Sequence, residues 1–158
     1  MPCWKRSKRT VRTKDIKLII DKDLDRNKDI KNHLFFCIFR FGNSFINGNT
    51  IFDRICSIPF RIIMKLTYNK YNHIPLETNI GGVRIPHLLG IVLSGKASIG
   101  EQCTIMHQVT IGVDELKNNK APVIGNNVFI GAGAIVTKSV PDGKTVVGIN
   151  RIIEQSNG

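Results

Sequence analysis

The sequence predicts a parallel β-solenoid of triangular cross-section preceded by an α-helical segment, and three observations predict it. Apolar residues recur in strict steps of six at Leu93, Ile99, Ile105 and Ile111, and again at Ile124, Ile130 and Val136. Four of them are followed directly by glycine, at Gly100, Gly112, Gly125 and Gly131. A second apolar or small residue lies two positions earlier in most repeats, at Ile91, Ala97, Cys103, Val109, Val128 and Ala134. This period is neither that of an α-helix nor the alternation of a half-buried strand. It fits a coil in which each hexapeptide forms one face, the repeated aliphatic points inward, and glycine or a small polar residue takes the tight turn. A β-sandwich with similar Ile and Gly usage is the competing reading, and it gives no reason for the step.

The segments divide by texture. Residues 1–28 are polar, and Lys5, Arg6, Lys8, Arg9, Arg12 and Lys14 all precede the first acidic residue, Asp15. They read as a basic flexible arm with one short helix around Lys14 to Lys22. Residues 29–72 read as a helical segment. Ile30, Leu34, Phe35 and Ile38 place one amphipathic helix over Asp29 to Phe41, and Ile51, Phe52, Ile55, Ile58, Ile62, Ile63 and Leu66 place another over Thr50 to Tyr68. Gly42 to Asn49 reads as the turn between them, and Pro59 as a kink or break in the second. Arg40, Arg54, Arg61 and Lys65 sit on otherwise apolar surfaces, which either lie on a membrane or pack against the rest of the protein. Residues 73–150 carry the solenoid and 151–158 form a C-terminal tail.

Composition excludes several classes. At 158 residues and 42% apolar content the chain has enough to bury a core. Its four cysteines, Cys3, Cys37, Cys56 and Cys103, have no CxxC spacing, so neither a zinc site nor a disulfide framework is indicated, and a reducing cytoplasm is the simplest compartment. No apolar stretch approaches the roughly 20 residues of a membrane span, and the N-terminus lacks a signal-peptide core. The formal net charge of +11 suits an anionic membrane surface, an acidic glycan or nucleic acid. Aromatic stacking platforms and a known nucleic-acid fold are missing, so charge alone carries a nucleic-acid reading.

The interruption of the repeat matters as much as the repeat. The step from Ile111 to Ile124 is 13 residues instead of six, so part of GVDELKNNKAPV leaves the prism as a loop, a place suited to binding. Counting faces puts His87, His107 and Ala132 along one side on successive coils, about 4.8 Å apart. Two histidines converging there suit the transfer of an acyl group to an alcohol. Imidazole titrates near neutral pH and can take the hydroxyl proton as attack begins, while backbone amides at Gly-rich turns can hold the oxyanion. Direct transfer needs no nucleophilic serine or cysteine.

The stretches IGGVRIPHLLGIVL, ASIGEQCTIMHQVTIG, KAPVIGNNVFIGAGAIV and SVPDGKTVVGIN resemble the hexapeptide-repeat acyltransferases, in particular the serine O-acetyltransferase branch and its relatives from surface-polysaccharide gene clusters. The resemblance implies a left-handed parallel β-helix that assembles as a homotrimer, with active sites between subunits and acetyl-CoA, as co-substrate, along the prism edge. It places the catalytic histidine, in an H-x-x-G-I-V motif, on His87 and a second one, before V-T-I-G, on His107. The turn that approaches CoA falls on Gly131, Ala132, Gly133 and Ala134, with Gly112 and Lys138 as further CoA contacts, Lys138 toward the phosphates. No metal is implied.

The chain departs from the serine acetyltransferase pattern at Ala121, where a second histidine precedes the proline after the loop, and at Pro86, where aspartate precedes the catalytic histidine. The residue that orients the imidazole stays open between His73 and Glu77. The chain is one residue short between Ile80 and His87, and GAGAIV runs into TKSVPDG one coil early. Three functions follow. The first is an acetyl-CoA-dependent O-acetyltransferase acting on a sugar of a polysaccharide precursor or on serine. The second is a trimeric β-helix assembly module of weak activity. The third is a nucleic-acid or membrane-surface binder led by the basic arm, for which the expected partner is a membrane surface, in peripheral contact with the basic N-terminal segment, and no nucleic acid.

Overall fold

The computed structural model describes residues 13–48, 50–113, 120–148 and 151–153, with side chains from Ile16 to Gly148. Three helices come first, α1 (Thr13–Arg26), α2 (Ile30–Ile46) and α3 (Ile51–Thr67). Ten short strands follow: β1 (Asn79–Ile80), β2 (Val92–Leu93), β3 (Ser98–Ile99), β4 (Thr104–Ile105), β5 (Thr110–Ile111), β6 (Val123–Ile124), β7 (Phe129–Ile130), β8 (Ile135–Val136), β9 (Thr145–Val147) and β10 (Arg151–Ile153).

The strands form three parallel sheets, β2-β5-β8, β1-β3-β6 and β4-β7-β9, and they are the three faces of one β-helix. Register stacks the inward residues in columns. Leu93, Ile111 and Val136 form the first, Ile80, Ile99 and Ile124 the second, and Ile105, Ile130 and Val146 the third. Bridges at His73, Arg84 and Val140 extend each column by one coil, through Ile74, Ile85 and Val140. All of these side chains are buried, as are Ile91, Ala97, Cys103, Val109, Val128 and Ala134, the residues two positions before six of them. After Val136 the chain makes only the faces of Val140 and Val146 before β10 turns back antiparallel on β9.

The repeated glycines serve a different purpose from the tight turn the sequence suggests. The left-handed corner residues stand three positions after the inward aliphatic: Gln102, Gln108 and Asn127 at φ 60°, 57° and 56°, and Gly133 and Gly143 at 69°. At Gly81, Gly100 and Gly125 the glycine directly after the aliphatic is a contact residue. A Cβ at Gly81 would stand 2.6 Å from the Gly100 carbonyl oxygen, and one at Gly100 would stand 2.4 Å from that of Gly125. Successive coils touch there through bare backbone, so a side chain would force the rungs apart.

The first coil has no coil before it, and its outward N–H and C=O groups need other partners. The helices supply them. From α1, Asp23 Oδ1 accepts the Val83 N–H at 3.1 Å. Asn27 donates to the Val83 carbonyl at 2.8 Å and accepts the Ile85 N–H at 2.7 Å. From α2, Asn32 donates to the Ile85 carbonyl, Arg40 to those of Ile80 and Gly81, and Asn43 to those of Leu76 and Thr78. Arg40 Nε also meets Asp23 Oδ2 at 2.7 Å, with both side chains buried. Beneath this polar layer Phe35, Phe36, Phe39 and Met64 join the column aliphatics in one apolar core.

Several expectations change. The flexible arm over 1–28 gives way at Thr13 to α1, which buries Ile16 and Ile20 and is tied to the first coil by Asp23 and Asn27. Residues 1–12, with Lys5, Arg6, Lys8, Arg9 and Arg12, lie outside the described residues. α2 continues through Gly42, which is no turn. A Cβ there would stand 2.9 Å from both Leu76 Cδ1 and Phe60 Cβ, so the glycine is where α2, α3 and the first coil meet. Pro59 leaves α3 undivided, and a reciprocal capping box between Thr50 and Asp53 starts that helix. Arg40 belongs to the buried layer, not to an exposed apolar surface.

Candidate active site

His87 and His107 occupy the corner that leads from the β4-β7-β9 face into the β2-β5-β8 face, on adjacent coils. Arg84 bridges Thr104, so Ile85 stacks on Ile105 and His87 on His107. Thr104 pairs with Phe129, which stacks His107 on Ala132. The imidazole centroids of His87 and His107 are 5.8 Å apart with ring planes at 71°. His87 is exposed and His107 half-buried. Nδ1 of His107 is buried and has no hydrogen-bond partner among the described residues.

The corner carrying His87 is wider than its counterparts. The chain takes six residues from Ile105 to Ile111 but eight from Ile85 to Leu93, after a short step of five from Ile80. Asn72, itself buried, holds the extra length. Its Nδ2 donates to the carbonyls of Tyr68 and Leu88, and its Oδ1 accepts the Ile91 N–H at 3.0 Å. The Gly90 N–H reaches the Tyr71 carbonyl at 2.9 Å, and the Gln108 N–H reaches that of Leu89 at 2.8 Å. The histidine therefore stands on a loop pinned from both sides. Sequence reasoning passed over Asn72, because one asparagine before His73 carries no pattern.

Gly131, Ala132 and Gly133 continue the same edge one coil on. The Gly131 N–H is taken by the Val146 carbonyl at 2.8 Å and the Gly133 N–H by the His107 carbonyl at 3.1 Å. These two amides are committed to the fold, and what the turn offers a ligand is bare surface. Ala132 and Gly133 are exposed, and nothing lies within 4 Å of where a Gly133 Cβ would be. Gly112 and Lys138 are elsewhere. They follow β5 and β8 at the opposite end of the β2-β5-β8 face, one face-width from the histidines. The chain leaves the prism for the loop at that far corner as well, after Gly112, and residues 114–119 lie outside the described residues.

Neither candidate orienter reaches an imidazole. Glu77 pairs with Arg61 of α3 at 2.6 Å, and His73 is built into the first rung, its N–H on the Ile91 carbonyl and its carbonyl on the Leu93 N–H. Among the described residues no cluster of three or more His, Cys, Asp or Glu could hold a metal ion. Burial pushes the Cys103 thiol up, and its Sγ lies 3.0 Å from the Gly125 carbonyl inside the prism. That is a structural cysteine with no nucleophilic role. No described helix is long and apolar enough to cross a membrane.

Comparison with known proteins bears on this edge. No protein-family model matches the chain. A serine acetyltransferase of Helicobacter pylori is 36% identical over 74 residues, which is 46% of this chain and 43% of that one. One from Synechococcus elongatus is 36% identical over 95 residues, covering 48% and 39%. The chain thus spans less than half the length of these curated relatives. Among solved structures, Neisseria gonorrhoeae serine acetyltransferase in complex with serine superposes with a TM-score of 0.64 at 18% identity, covering 92% of this chain and 72% of that one. The soybean apoenzyme gives 0.63 at 21%, covering 87% and 69%. The fold is the left-handed β-helix of serine acetyltransferases, with a helical segment before it. Over the aligned segments the chain is serine acetyltransferase-like in sequence.

Proposed function

We propose that the chain is an acetyl-CoA-dependent O-acetyltransferase in which His87 is the general base for a small hydroxyl acceptor. The observation that carries this reading is the pair of imidazoles 5.8 Å apart on an open prism edge, in a chain similar to serine acetyltransferases. His87, the more exposed, takes the hydroxyl proton as the acceptor oxygen attacks the thioester carbonyl carbon. The carbon–sulfur bond breaks, and the same imidazolium returns the proton to the departing thiolate, so protons balance over the cycle. His107 supports the developing charge from the coil behind it. Gly131, Ala132 and Gly133 leave the edge clear for the CoA chain, two of them having no side chain and the third only a methyl group.

Gly112 and Lys138 stand one face-width from the histidines of the same chain, on the side where a neighbouring copy's histidine edge would meet them. This favours a homotrimer with sites shared between neighbours, Lys138 facing the CoA phosphates. Serine is the first acceptor to try, since the relatives are named for it. Pro86 and Ala121 favour a second reading, a sugar hydroxyl of a polysaccharide precursor. Those positions carry no charge or imidazole with which to hold an amino acid's own charged groups.

The test follows release of CoA thiol by the full chain with serine and a panel of sugars. His87→Ala should lower turnover by about 10²- to 10⁴-fold, the range for a positioned general base, with an unchanged circular dichroism spectrum. A folded wild-type chain that releases no thiol with any acceptor and does not bind CoA would sink the enzyme reading, leaving a β-helix assembly module.

A further inference from the structure

α3 is turned inside out relative to an ordinary surface helix. Of its 17 residues only Ser57 and Met64 are buried. Ile51, Ile55, Ile58, Ile62 and Leu66 repeat at helical spacing along the side facing away from the protein, with Phe52 and Ile63 beside them. Their exposure runs from 40% at Ile63 to 79% at Ile51. A continuous apolar stripe of this size marks a surface built to be covered.

The charges beside the stripe indicate what covers it. Arg54, Arg61 and Lys65, again at helical spacing, line one edge, all exposed, Arg61 being paired with Glu77 of the first coil at 2.6 Å and Arg54 and Lys65 in no ion pair among the described residues. The helix has one acid, Asp53, and its carboxylate is occupied in the N-terminal cap with Thr50. An apolar stripe with a cationic border and no free acid matches a helix lying in the interface of an anionic bilayer, with aliphatics among the acyl chains and cations at the headgroups. A face made to pair two-fold with the same face of a second copy would set this cationic row against another. We infer that α3 is a membrane-docking helix that seats the protein on anionic lipid. This is independent of the acetyltransferase reading.

The experiment is co-sedimentation of the full chain with phosphatidylcholine vesicles, with and without phosphatidylglycerol, run beside light scattering for oligomeric state. Binding should require the anionic lipid and weaken at high salt. Ile55→Asn with Ile62→Asn changes no charge and touches no core. It should weaken vesicle affinity by at least about tenfold while leaving acetyl transfer or CoA binding unchanged. Arg54→Gln with Lys65→Gln should remove the preference for anionic lipid. The inference is overturned if the wild type stays in solution, or if the isoleucine variant sediments as well as wild type, which would assign binding to other basic residues. It is equally overturned if the isoleucine variant splits a larger oligomer in the absence of lipid, which would show a second copy on this face.

Discussion

The β-helix and the helical layer over its first coil solve the same problem by opposite means. Inside the solenoid each rung satisfies the next through backbone alone, and side chains contribute only apolar volume, repeated with small variation in three columns. At the N-terminal end the same backbone groups meet five individual side chains, Asp23, Asn27, Asn32, Arg40 and Asn43, each aimed at one or two atoms. Repetition makes the first region tolerant and easy to recognise. The second has no redundancy, and a single substitution there leaves a buried group without a partner.

The largest effect is expected at Arg40. It meets Asp23 and two carbonyls of the first coil in a buried setting. Arg40→Met should cost about 3–5 kcal/mol in chemical denaturation, because an isolated buried carboxylate and two bare carbonyls remain. The sign with pH can be worked out. Burial pushes the Asp23 carboxyl above its ordinary value, and the Arg40 guanidinium and the Val83 N–H pull it back. Without Arg40 the carboxyl rises further. The variant's deficit should then be smallest in acid, where Asp23 is protonated folded and unfolded alike, and widen as pH rises through the folded value. A deficit independent of pH would mean that the guanidinium acts on the carbonyls alone.

Inside the solenoid the counterpart is a glycine. Gly100→Ala puts a Cβ 2.4 Å from the Gly125 carbonyl oxygen and should cost about 1–3 kcal/mol as the rungs separate. Gly112→Ala is the control, since among the described residues a Cβ there meets only Thr110 Cγ2 at 4.0 Å, and its stability should stay within about 0.5 kcal/mol of wild type. Equal losses at both would return the glycines to the role of flexible turns.

The same contrast explains what was legible in the sequence. The columns from Leu93 to Val136 could be read because the step of six repeats often enough to exclude chance, and the step also placed His87, His107 and Ala132 on one edge. The purpose of Gly100 and Gly125 could not be read, because close approach between rungs depends on a neighbour a full coil away in sequence. Gly42 looked like a turn because a glycine's helix-breaking tendency is local and its packing against Phe60 and Leu76 is not. α1 looked like an arm because Asp23 and Asn27, its anchors, are residue types that normally face solvent. The placement of Gly112 and Lys138 one corner on from the histidines follows from the same step of six, since each comes after the next inward aliphatic, Ile111 and Val136.

Asn72 joins the two regions, being a single polar side chain that holds a corner of the repeat. Asn72→Ala frees the Leu88 carbonyl and the Ile91 N–H and should cost only about 1–2 kcal/mol, because the corner lies near the surface and water can replace part of the loss. Its effect on transfer should be larger than that figure suggests. The eight-residue step from Ile85 to Leu93 has slack that the normal six-residue step lacks, and Asn72 takes it up at both ends of Leu88–Ile91. A base displaced by a fraction of an ångström loses its alignment with the acceptor hydroxyl, so turnover should fall by about tenfold or more while KM for acetyl-CoA stays near wild type. Asn72→Asp keeps the acceptor for the Ile91 N–H but loses the donor to Leu88, and it should recover part of that turnover at neutral pH. If turnover instead follows thermal stability across the two variants, Asn72 only supports the fold, and the wide corner positions His87 without it.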